Sequence, residues 1–457
     1  MDESDFNLII PLSSSAKATI EEFFRSDIKN DGGSQLKVEI KSMASQIETD
    51  LISIRRTLHQ YPELMYQEKE TSRILQKLLR EVIGVNFTNG WAKNIYSSEG
   101  RDDFGGHGIV ADIGTGQPPC VLLRADMDGL PILEEKVCHD DIISKHIGQM
   151  HACGHDAHMA MLLGATAILK RIEPLIQGTV RVMFQPAEEG GAGAKRMVEE
   201  GVLATYPPVQ HAYAMHVWPS LPTGTIGGKP GSLLSAADSF YFDLCGIGGH
   251  AAMPHLTADP VVATSAIIMG AQTLISRKLS PLESGVLSIT QVDTCGNANN
   301  VIPARVKIGG TIRALSTNAL VSMREQFIDF IHQCAVSYGC NIENLNFRPD
   351  FYPPTINDTS LWPFASMVAS SVSGTPVVEV PPTMGGEDFA FVAEKVPSAF
   401  FLLGQGTNSV PRSTNFGLHH PQFAVDERVL IQGVQLHVNL ALRTLKKLTL
   451  ENSEKLN

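Results

Sequence analysis

A recurring pattern of short apolar runs, each ending in a polar cluster, most limits what this chain can fold into. The runs at 121–123 and 180–184 lead directly into charged residues, and the run at 213–215 leads into His216. A helical stretch at 159–172 lies between the first two runs. Strands that alternate with helices predict an α/β fold with a mostly parallel sheet flanked by helices. Side chains that follow the strands should gather at their carboxyl ends, where reactive groups of such folds lie.

The middle of the chain has a different pattern and predicts a smaller inserted unit. Alternating strand patterns at 239–244, 286–292 and 306–312 are interleaved with two helical stretches, the first of which opens at Asp259-Pro260. Proline suits the first position of a helix, so this opening is well marked. The predicted segments are an irregular, loosely attached N-terminal extension (1–40), a discontinuous catalytic domain (41–230 and 346–457) and an inserted α+β unit (231–345).

Length, charge and the chain ends restrict the partners and the compartment. A chain of 457 residues is long enough for two or three domains. The 36 Lys+Arg against 48 Asp+Glu give a net charge of −12, which disfavours nucleic acid and anionic membranes as partners. There is no apolar run long enough for a transmembrane helix. Neither a secretory signal nor a retention tail is visible, and the seven cysteines are scattered, so a cytoplasmic location is expected.

The densest group of potential metal ligands lies at 151–158, with three histidines, one cysteine and one aspartate. Cys153 and His155 are separated by one small residue, so both side chains can point the same way in an extended turn. Thiolate and imidazole both bind borderline metals such as Zn²⁺. The alternative is a surface histidine cluster beside a buried cysteine, since the spacing is not that of a zinc finger. Cys138, His139 and His146 are further possible ligands and are expected to be exposed.

Glu188 and Glu189 form a second candidate site after the apolar run at 180–184. Adjacent carboxylates repel each other, and exposure is their usual explanation. The functional alternative is a division of labour, in which one carboxylate binds a metal and the other takes a proton from a water. His216 and the His419-His420 pair are each more often structural when taken alone. Together, these residues could all lie at one edge of one sheet.

Residues 246–251 (Gly-Ile-Gly-Gly-His-Ala) fit the glycine pattern of a dinucleotide-binding loop. That function requires a helix to open at once. Met253-Pro254 follows instead, and the helix signal comes only at Asp259. A nicotinamide enzyme is therefore the less favoured alternative.

Several different motifs occur along the chain in the order found in a known family. They lie at 59–64, 124–131, 150–158, 184–190, 215–216, 248–252, 300–303, 311–314, 384–389 and 419–421. In these stretches the chain resembles the amidohydrolase branch of the aminoacylase-type metallopeptidases. That branch includes indole-3-acetyl-amino acid hydrolases, hippurate hydrolases and N-acyl-amino acid deacetylases. The resemblance extends from about Glu48 to Leu445.

The resemblance implies a two-metal site in the larger domain, occupied by Mn²⁺ or Zn²⁺. Glu188 matches the general base, and His420 is a less favoured ligand than its neighbour. Asp126 is expected to orient a ligand imidazole from behind. The residues implied as metal ligands are Cys153, His155, Glu189, His216 and His419.

The resemblance also implies that the inserted unit is a lid, or satellite, domain of the dimerisation type. His250 is a candidate oxyanion donor that acts across a domain or subunit boundary. Asn300 and Arg313 suit the free carboxylate of a substrate, because a guanidinium offers a fork of donors to a planar anion. The structural alternatives are that Asn300 caps a turn and that Arg313 forms a structural ion pair.

The resulting prediction is a metal-dependent amidohydrolase that cleaves the amide of a small N-acyl amino acid with an apolar or aromatic acyl group. The expected protein is a monomer or a homodimer formed through the lid domain. One alternative is a carboxypeptidase or dipeptidase of the same superfamily that acts on short peptides. Another is a homologue that has lost catalysis and only binds a ligand.

Overall fold

The computed structural model describes residues 8, 10–25, 32–93, 105–136, 142–296, 298–407 and 414–456. These residues form two compact units. Unit 1 comprises the described residues up to Gly231, together with Ile356–Val380 and those from Phe391 onwards. Unit 2 comprises Ser232–Thr355 and Pro381–Ala390. None of the described helices has the length and apolarity needed to cross a membrane.

Four helices come first along the described chain, and strands and helices are interspersed after them. The helices are α1 (Ser14–Arg25), α2 (Gly32–Gln46), α3 (Glu48–Gln60), α4 (Lys69–Lys77), α5 (His155–Arg171), α6 (Gly193–Glu199), α7 (Pro260–Thr273), α8 (Thr317–Ser337), α9 (Trp362–Ser373), α10 (Ala390–Ala393) and α11 (Val429–Leu456). The strands are β1 (Phe87–Lys93), β2 (Gly105–Gly114), β3 (Cys120–Asp126), β4 (Thr179–Gln185), β5 (Val209–Pro222), β6 (Ile226–Gly228), β7 (Gly231–Leu234), β8 (Ala236–Cys245), β9 (Gly249–His250), β10 (Gly285–Asp293), β11 (Val301–Ile302), β12 (Arg305–Ala314), β13 (Asn341–Phe347), β14 (Thr355–Asn357), β15 (Val378–Glu379) and β16 (Ser398–Gly406).

Unit 1 is built on a sheet whose order among the described strands is β1-β2-β4-β3-β5-β16-β6-β15. Its centre, β4-β3-β5-β16, is parallel, whereas β1 and β2 add antiparallel strands at one side. β3 and β4 are buried along their whole length, as expected for strands covered on both faces. The predicted α/β fold with a mostly parallel sheet is confirmed.

Helix α5 lies at the centre of the unit 1 core. Every residue from His155 to Leu169 is buried, because the helix packs against α3, α11 and strand β3. A helix that is apolar on all sides belongs inside a protein. The first turn of α5 carries histidines and an aspartate into that core, so their polar groups need partners.

The expectation of an irregular, loosely attached segment at 1–40 is wrong for its described residues. Helix α1 and the first part of α2 lie there. Ile20 and Phe23 of α1 are buried in the unit 1 core, as is Leu36 of α2. The buried positions of α1 recur every three or four residues, the spacing of one helix face. Serine and glycine around these helices obscured this short apolar pattern.

Unit 2 has an antiparallel sheet in the order β10-β12-β8-β13, against which α7 and α8 pack. The predicted start of α7 is confirmed: the Asp259 carboxylate accepts the backbone N–H groups of Val261 and Val262. Strand β13 was not predicted. Unit 2 also takes up residues 346–355 and 381–390, which the sequence segmentation assigned to the catalytic domain. Pairing between Ala237 and Tyr352 holds the first of these segments to the sheet.

Candidate metal centre and active site

The carboxyl ends of β3 and β4, together with the middle of β5, bring the polar clusters of unit 1 together. β3 ends at Asp126 and β4 ends at Gln185. His216 does not end its strand, contrary to the expectation, because β5 continues to Pro222. β5 pairs with β3 only as far as Tyr213, while its pairing with β16 continues past His216. His216 therefore lies three residues past the last β3–β5 pair, level with the carboxyl end of β3, where the other clusters lie.

A tight turn before α5 places Cys153 and His155. Gly154 between them has φ +86°, and a Cβ there would meet a Val217 methyl at 2.4 Å. Both the backbone conformation and the close approach therefore require glycine. The turn directs Cys153 and His155 into the buried interior, where they are 6% and 0% exposed.

The predicted ligand residues converge in overlapping groups. The Cys153 Sγ and His216 Nε2 atoms are 3.2 Å apart. Within each group, the potential ligand atoms lie within 4.8 Å of one another. Among the described residues of unit 1, the groups that contain predicted ligands are Cys153-His155-His216, Cys153-Glu189-His419, His155-Glu188-Glu189 and Asp126-His155-His158.

His419 reaches this cluster from a loop near the end of the chain. Its N–H donates to the Ala152 carbonyl at 2.8 Å, and its Nε2 lies 3.1 Å from a Glu189 oxygen. Its φ of +64° is unusual for a residue other than glycine. His420 instead stacks on Phe416 and is in none of the ligand groups found among the described residues. Cys138 and His139 lie outside the described residues.

Asp128 holds the turn that carries the two glutamates. One carboxylate oxygen of Asp128 accepts the Glu188 N–H at 3.0 Å, and the other accepts the Glu189 N–H at 2.9 Å. The first oxygen also lies 3.4 Å from His155 Nδ1. Asp128 thus connects the carboxylate pair to a predicted ligand. Sequence reasoning gave it no role, although its position two residues after Asp126, just past a strand end, was a usable signal.

Asp126 is bonded chiefly to His158, a histidine of the 151–158 group that was given no individual role. Its Oδ1 lies 2.6 Å from His158 Nδ1, while Arg124 donates to Oδ2 at 2.7 Å. The Nε2 of His158 accepts the Val217 N–H at 3.0 Å, so its Nδ1 carries the proton that Asp126 accepts. Asp126 lies farther, at 3.7 Å, from His155 Nε2. His158 follows His155 by three residues, a spacing that puts both on one helix face.

Burial and the surrounding carboxylates shift the pKa values of the site. Burial, with the charges of Glu189 and Glu188, raises the pKa of Cys153 well above its ordinary value. Burial alone would lower the pKa of His155, but Asp126, Asp128 and Glu189 outweigh it and raise the pKa to about 10. Burial lowers the pKa of His216 well below its usual range. Without a cation the site therefore holds a neutral thiol and an imidazolium among carboxylates.

The donor set fits divalent cations. Thiol sulfur, imidazole nitrogen and carboxylate oxygen are all present, and their atoms converge from separate elements. All of these donor residues are buried or partly buried except His419, which is exposed. This mixture suits Zn²⁺ and related borderline ions. A cation would also balance the carboxylates that burial otherwise disfavours.

The candidate substrate residues lie in unit 2. His250 is exposed on β9, which pairs with β11. The neighbouring Ala251 N–H donates to the Asn300 carbonyl at 3.0 Å, so His250 and Asn300 lie on adjoining segments. Arg313 on β12 is half-buried and donates to the Met384 carbonyl at 2.7 Å. The roles predicted for these residues stay predictions.

Comparison with known proteins identifies the family. The family model for peptidase family M20/M25/M40 matches residues 122–443, well over half of the chain. The chain belongs to this family. The matched residues include every residue of the ligand cluster described above.

Curated relatives of this M20 chain cover most of its length. It is 39% identical to "IAA-amino acid hydrolase ILR1-like 4" of Arabidopsis thaliana over 89% of the chain and 88% of the relative. It is 36% identical to "N-acetyl-L-cysteine deacetylase" of Bacillus subtilis over 85% and 86%. It is 34% identical to "Thermostable carboxypeptidase 1" of Saccharolobus solfataricus over 89% and 98%. These similarities confirm the prediction of a hydrolase that acts on amide bonds.

A solved structure of this family supports the fold as well. The crystal structure of a Bacillus subtilis protein, titled a dinuclear metal binding peptidase from M20 family, aligns with a TM-score of 0.70 and 33% identity. The alignment covers 88% of this chain and 99% of that one. The family resemblance inferred from the sequence motifs is therefore correct.

Proposed function

We propose that this M20 enzyme hydrolyses the amide bond of N-acyl amino acids and uses two divalent ions, Mn²⁺ or Zn²⁺. The convergence of all five predicted ligands beside Glu188 carries the proposal. The names of the relatives add support, since two of them act on acyl-amino acids according to those names. The substrate would be a small molecule with an apolar or aromatic acyl group.

Glu188 is the proposed general base. Glu188 is 6% exposed, its carboxylate lies 4.0 Å from His155 Nε2, and its backbone N–H is held by Asp128. Two bound ions would supply Lewis-acid activation of the amide carbonyl and of the attacking water. Glu188 accepts the proton of that water and returns it to the leaving amine. Its position next to Glu189 fits these roles, in which Glu189 binds a metal and Glu188 takes the proton. The base must lie near the ligands without being a ligand itself.

His250, Asn300 and Arg313 are proposed to act on the substrate. An imidazole N–H can stabilise a developing oxyanion, and the guanidinium of Arg313 can hold the free carboxylate. Exposure of His250 and Asn300 leaves both accessible to a ligand. The dimerisation role of the inserted unit and the cytoplasmic location are part of the same proposal.

A carboxypeptidase is the second candidate, supported by the carboxypeptidase among the relatives. Both substrates present an amide beside a free carboxylate. Metal-loaded protein should be incubated with N-acetyl, N-benzoyl and indole-3-acetyl amino acids, with matched dipeptides, and with analogues whose carboxylate is amidated. We expect amino acid release from an acyl class and little from the amidated analogues. Cleavage restricted to dipeptides would favour the carboxypeptidase, and no cleavage of any compound would favour a binding protein.

Glu188→Gln should remove the general base and keep the size of the side chain. We expect the kcat on the best substrate to fall by about 10²-fold or more. The bound metal, measured by elemental analysis, should stay unchanged. Turnover near that of the wild type would contradict the assignment of Glu188.

A further inference from the structure

The turn that carries the two glutamates, residues 187–191, has an unusual backbone. Ala187 has φ +58°, a left-handed conformation that residues other than glycine rarely adopt. The turn follows β4 directly and places Glu188 and Glu189 at the ligand cluster. Such a conformation persists only where surrounding contacts hold it.

Two carboxyl groups hold three consecutive N–H groups of this turn. Asp128 accepts those of Glu188 and Glu189, as described above. Glu68 accepts the preceding one, with its Oε1 2.8 Å from the Ala187 nitrogen. Glu68 therefore fixes the residue at which the chain leaves β4 and turns.

The segment around Glu68 meets the turn at a second point. The Tyr66 hydroxyl donates to the Gly191 carbonyl, at the far end of the turn. A Cβ at Gly191 would meet the Tyr66 ring at 2.7 Å, so the two pack closely. Tyr66 also has a positive φ, of +63°, and its N–H donates to Glu68 Oε1 at 3.0 Å. One carboxyl oxygen thus joins two strained residues.

The second oxygen of Glu68 indicates more than a packing role. Glu68 is 0% exposed, and its Oε2 has no hydrogen-bond partner among the described residues. A buried polar atom without a partner is unfavourable for folding. Burial, and then the charge of Asp128, raises the pKa of Glu68 well above its ordinary value. The unpartnered oxygen and the raised pKa both mean that burial of Glu68 beneath the turn is unfavourable for folding, which packing alone does not explain.

We infer that Glu68 is a positioning residue for catalysis: through the Ala187 N–H it holds Glu188 where a general base must lie. This inference rests on the proposed function of Glu188. The carboxyl group of Glu68 accepts the N–H groups of Tyr66 and Ala187 and forms no hydrogen bond or ion pair with a proposed ligand among the described residues, so we expect it to act through the turn. A displacement of a reacting group by about 1 Å can cost about 10²-fold in rate.

Variants of Glu68 separate positioning from packing. In Glu68→Gln the amide oxygen can still accept both N–H groups, and kcat should stay within about threefold of the wild type. In Glu68→Met both acceptors are lost at similar size, and kcat should fall by about 30- to 100-fold with KM within about threefold. Glu68→Asp keeps the acid but withdraws it from the turn, and should lose at least about tenfold in kcat.

Glu63 offers a matched control in the same part of the chain. Its carboxylate accepts the backbone N–H groups of Glu70 and Thr71, but none from the turn. Glu63→Met should lower the melting temperature and leave the kcat of the folded protein unchanged. If Glu68→Met does not fold, Glu68→Asp decides the matter by the same split between kcat and KM.

A double variant tests the route of action. If Glu68 acts through Glu188, Glu68→Met should cost no more than about threefold in a Glu188→Gln background, because residues that act as a unit are not additive. A full additive loss would overturn the inference, as would a wild-type kcat in Glu68→Met or an equal loss in Glu68→Gln. Undiminished turnover of Glu188→Gln alone would instead refute the proposed function, so the two failures are distinct.

Discussion

At the scale of single residues, the site shows how burial sets the state of each group. Cys153 and His155 are separated only by Gly154, yet one is neutral and the other is positively charged. Burial opposes charge in both, but the nearby carboxylates stabilise a positive imidazolium and destabilise a negative thiolate. Both groups must lose a proton before they can bind a metal.

Metal binding should therefore release protons. At pH 7 the metal-free protein holds the Cys153 proton and, with a pKa of about 10, the His155 proton. We expect about two protons released per chain on loading, measured by titration calorimetry in buffers of different ionisation enthalpy. Cys153→Ser should reduce the count by about one. Binding without proton release would contradict these charge states.

The raised pKa of His155 also determines how the stability of the metal-free protein changes with pH. The folded pKa of His155 lies above its unfolded value of 6.5. Its contribution to stability is thus fully present below about pH 6.5 and is lost as the pH rises through about 10. Metal affinity should change in the opposite direction, since proton competition weakens as the pH rises.

At the scale of elements, the N-terminal helices belong to the core rather than to an extension. Ile20 of α1 is fully buried, and the Lys446 amine of α11 donates to the Phe23 carbonyl. The amine also lies 4.4 Å from the centroid of the Phe23 ring. Helix α1 is therefore attached by apolar packing and by a buried polar contact.

Ile20→Ala should accordingly destabilise the protein. The loss of a buried side chain in a packed core costs about 2–5 kcal/mol of unfolding free energy. Urea denaturation of the metal-loaded protein measures it. Lys17→Ala on the same helix, whose side chain is 59% exposed, should change the free energy by less than about 0.5 kcal/mol. Equal values for the two variants would indicate a helix that contributes nothing to the core.

At the scale of the whole molecule, the proposed ligands come from segments far apart in the sequence, from Cys153 to His419. A metal bound by such a set joins the turns at 153–155 and 187–191, the strand β5 and the loop that carries His419. Binding energy at the site should therefore appear as stability of the fold.

Removal of metal should lower the melting temperature. At an ion concentration about 1,000 times Kd, binding adds about 4 kcal/mol of stability. Differential scanning calorimetry with Mn²⁺ or Zn²⁺ and with a chelator measures the shift. Cys153→Ala should abolish most of it, whereas Cys295→Ser should leave it intact, since Cys295 is exposed in unit 2. The absence of any shift would argue against a resident metal.

The residues of the sequence by themselves determined the class of the fold, the start of α7 and, with the family resemblance, the ligand residues. These follow from local patterns: apolar runs define β3, β4 and part of β5, and a proline after an aspartate opens a helix. Thiol and imidazole are metal-binding groups, which marked Cys153 and His155 as candidates, and the resemblance added Glu189.

Only the tertiary structure decided which groups support that chemistry. Asp128, His158 and Glu68 were given no role, because a carboxylate or imidazole becomes a partner through its position and not through its neighbours in sequence. The same holds for His216, which lies past the last β3–β5 pair and is held there by pairing with β16. It also holds for α1, because its short apolar face does not by itself predict a helix that packs against a core. Long-range contacts bring together segments that no local pattern relates, and burial then sets the hydrogen bonds and charge of each group.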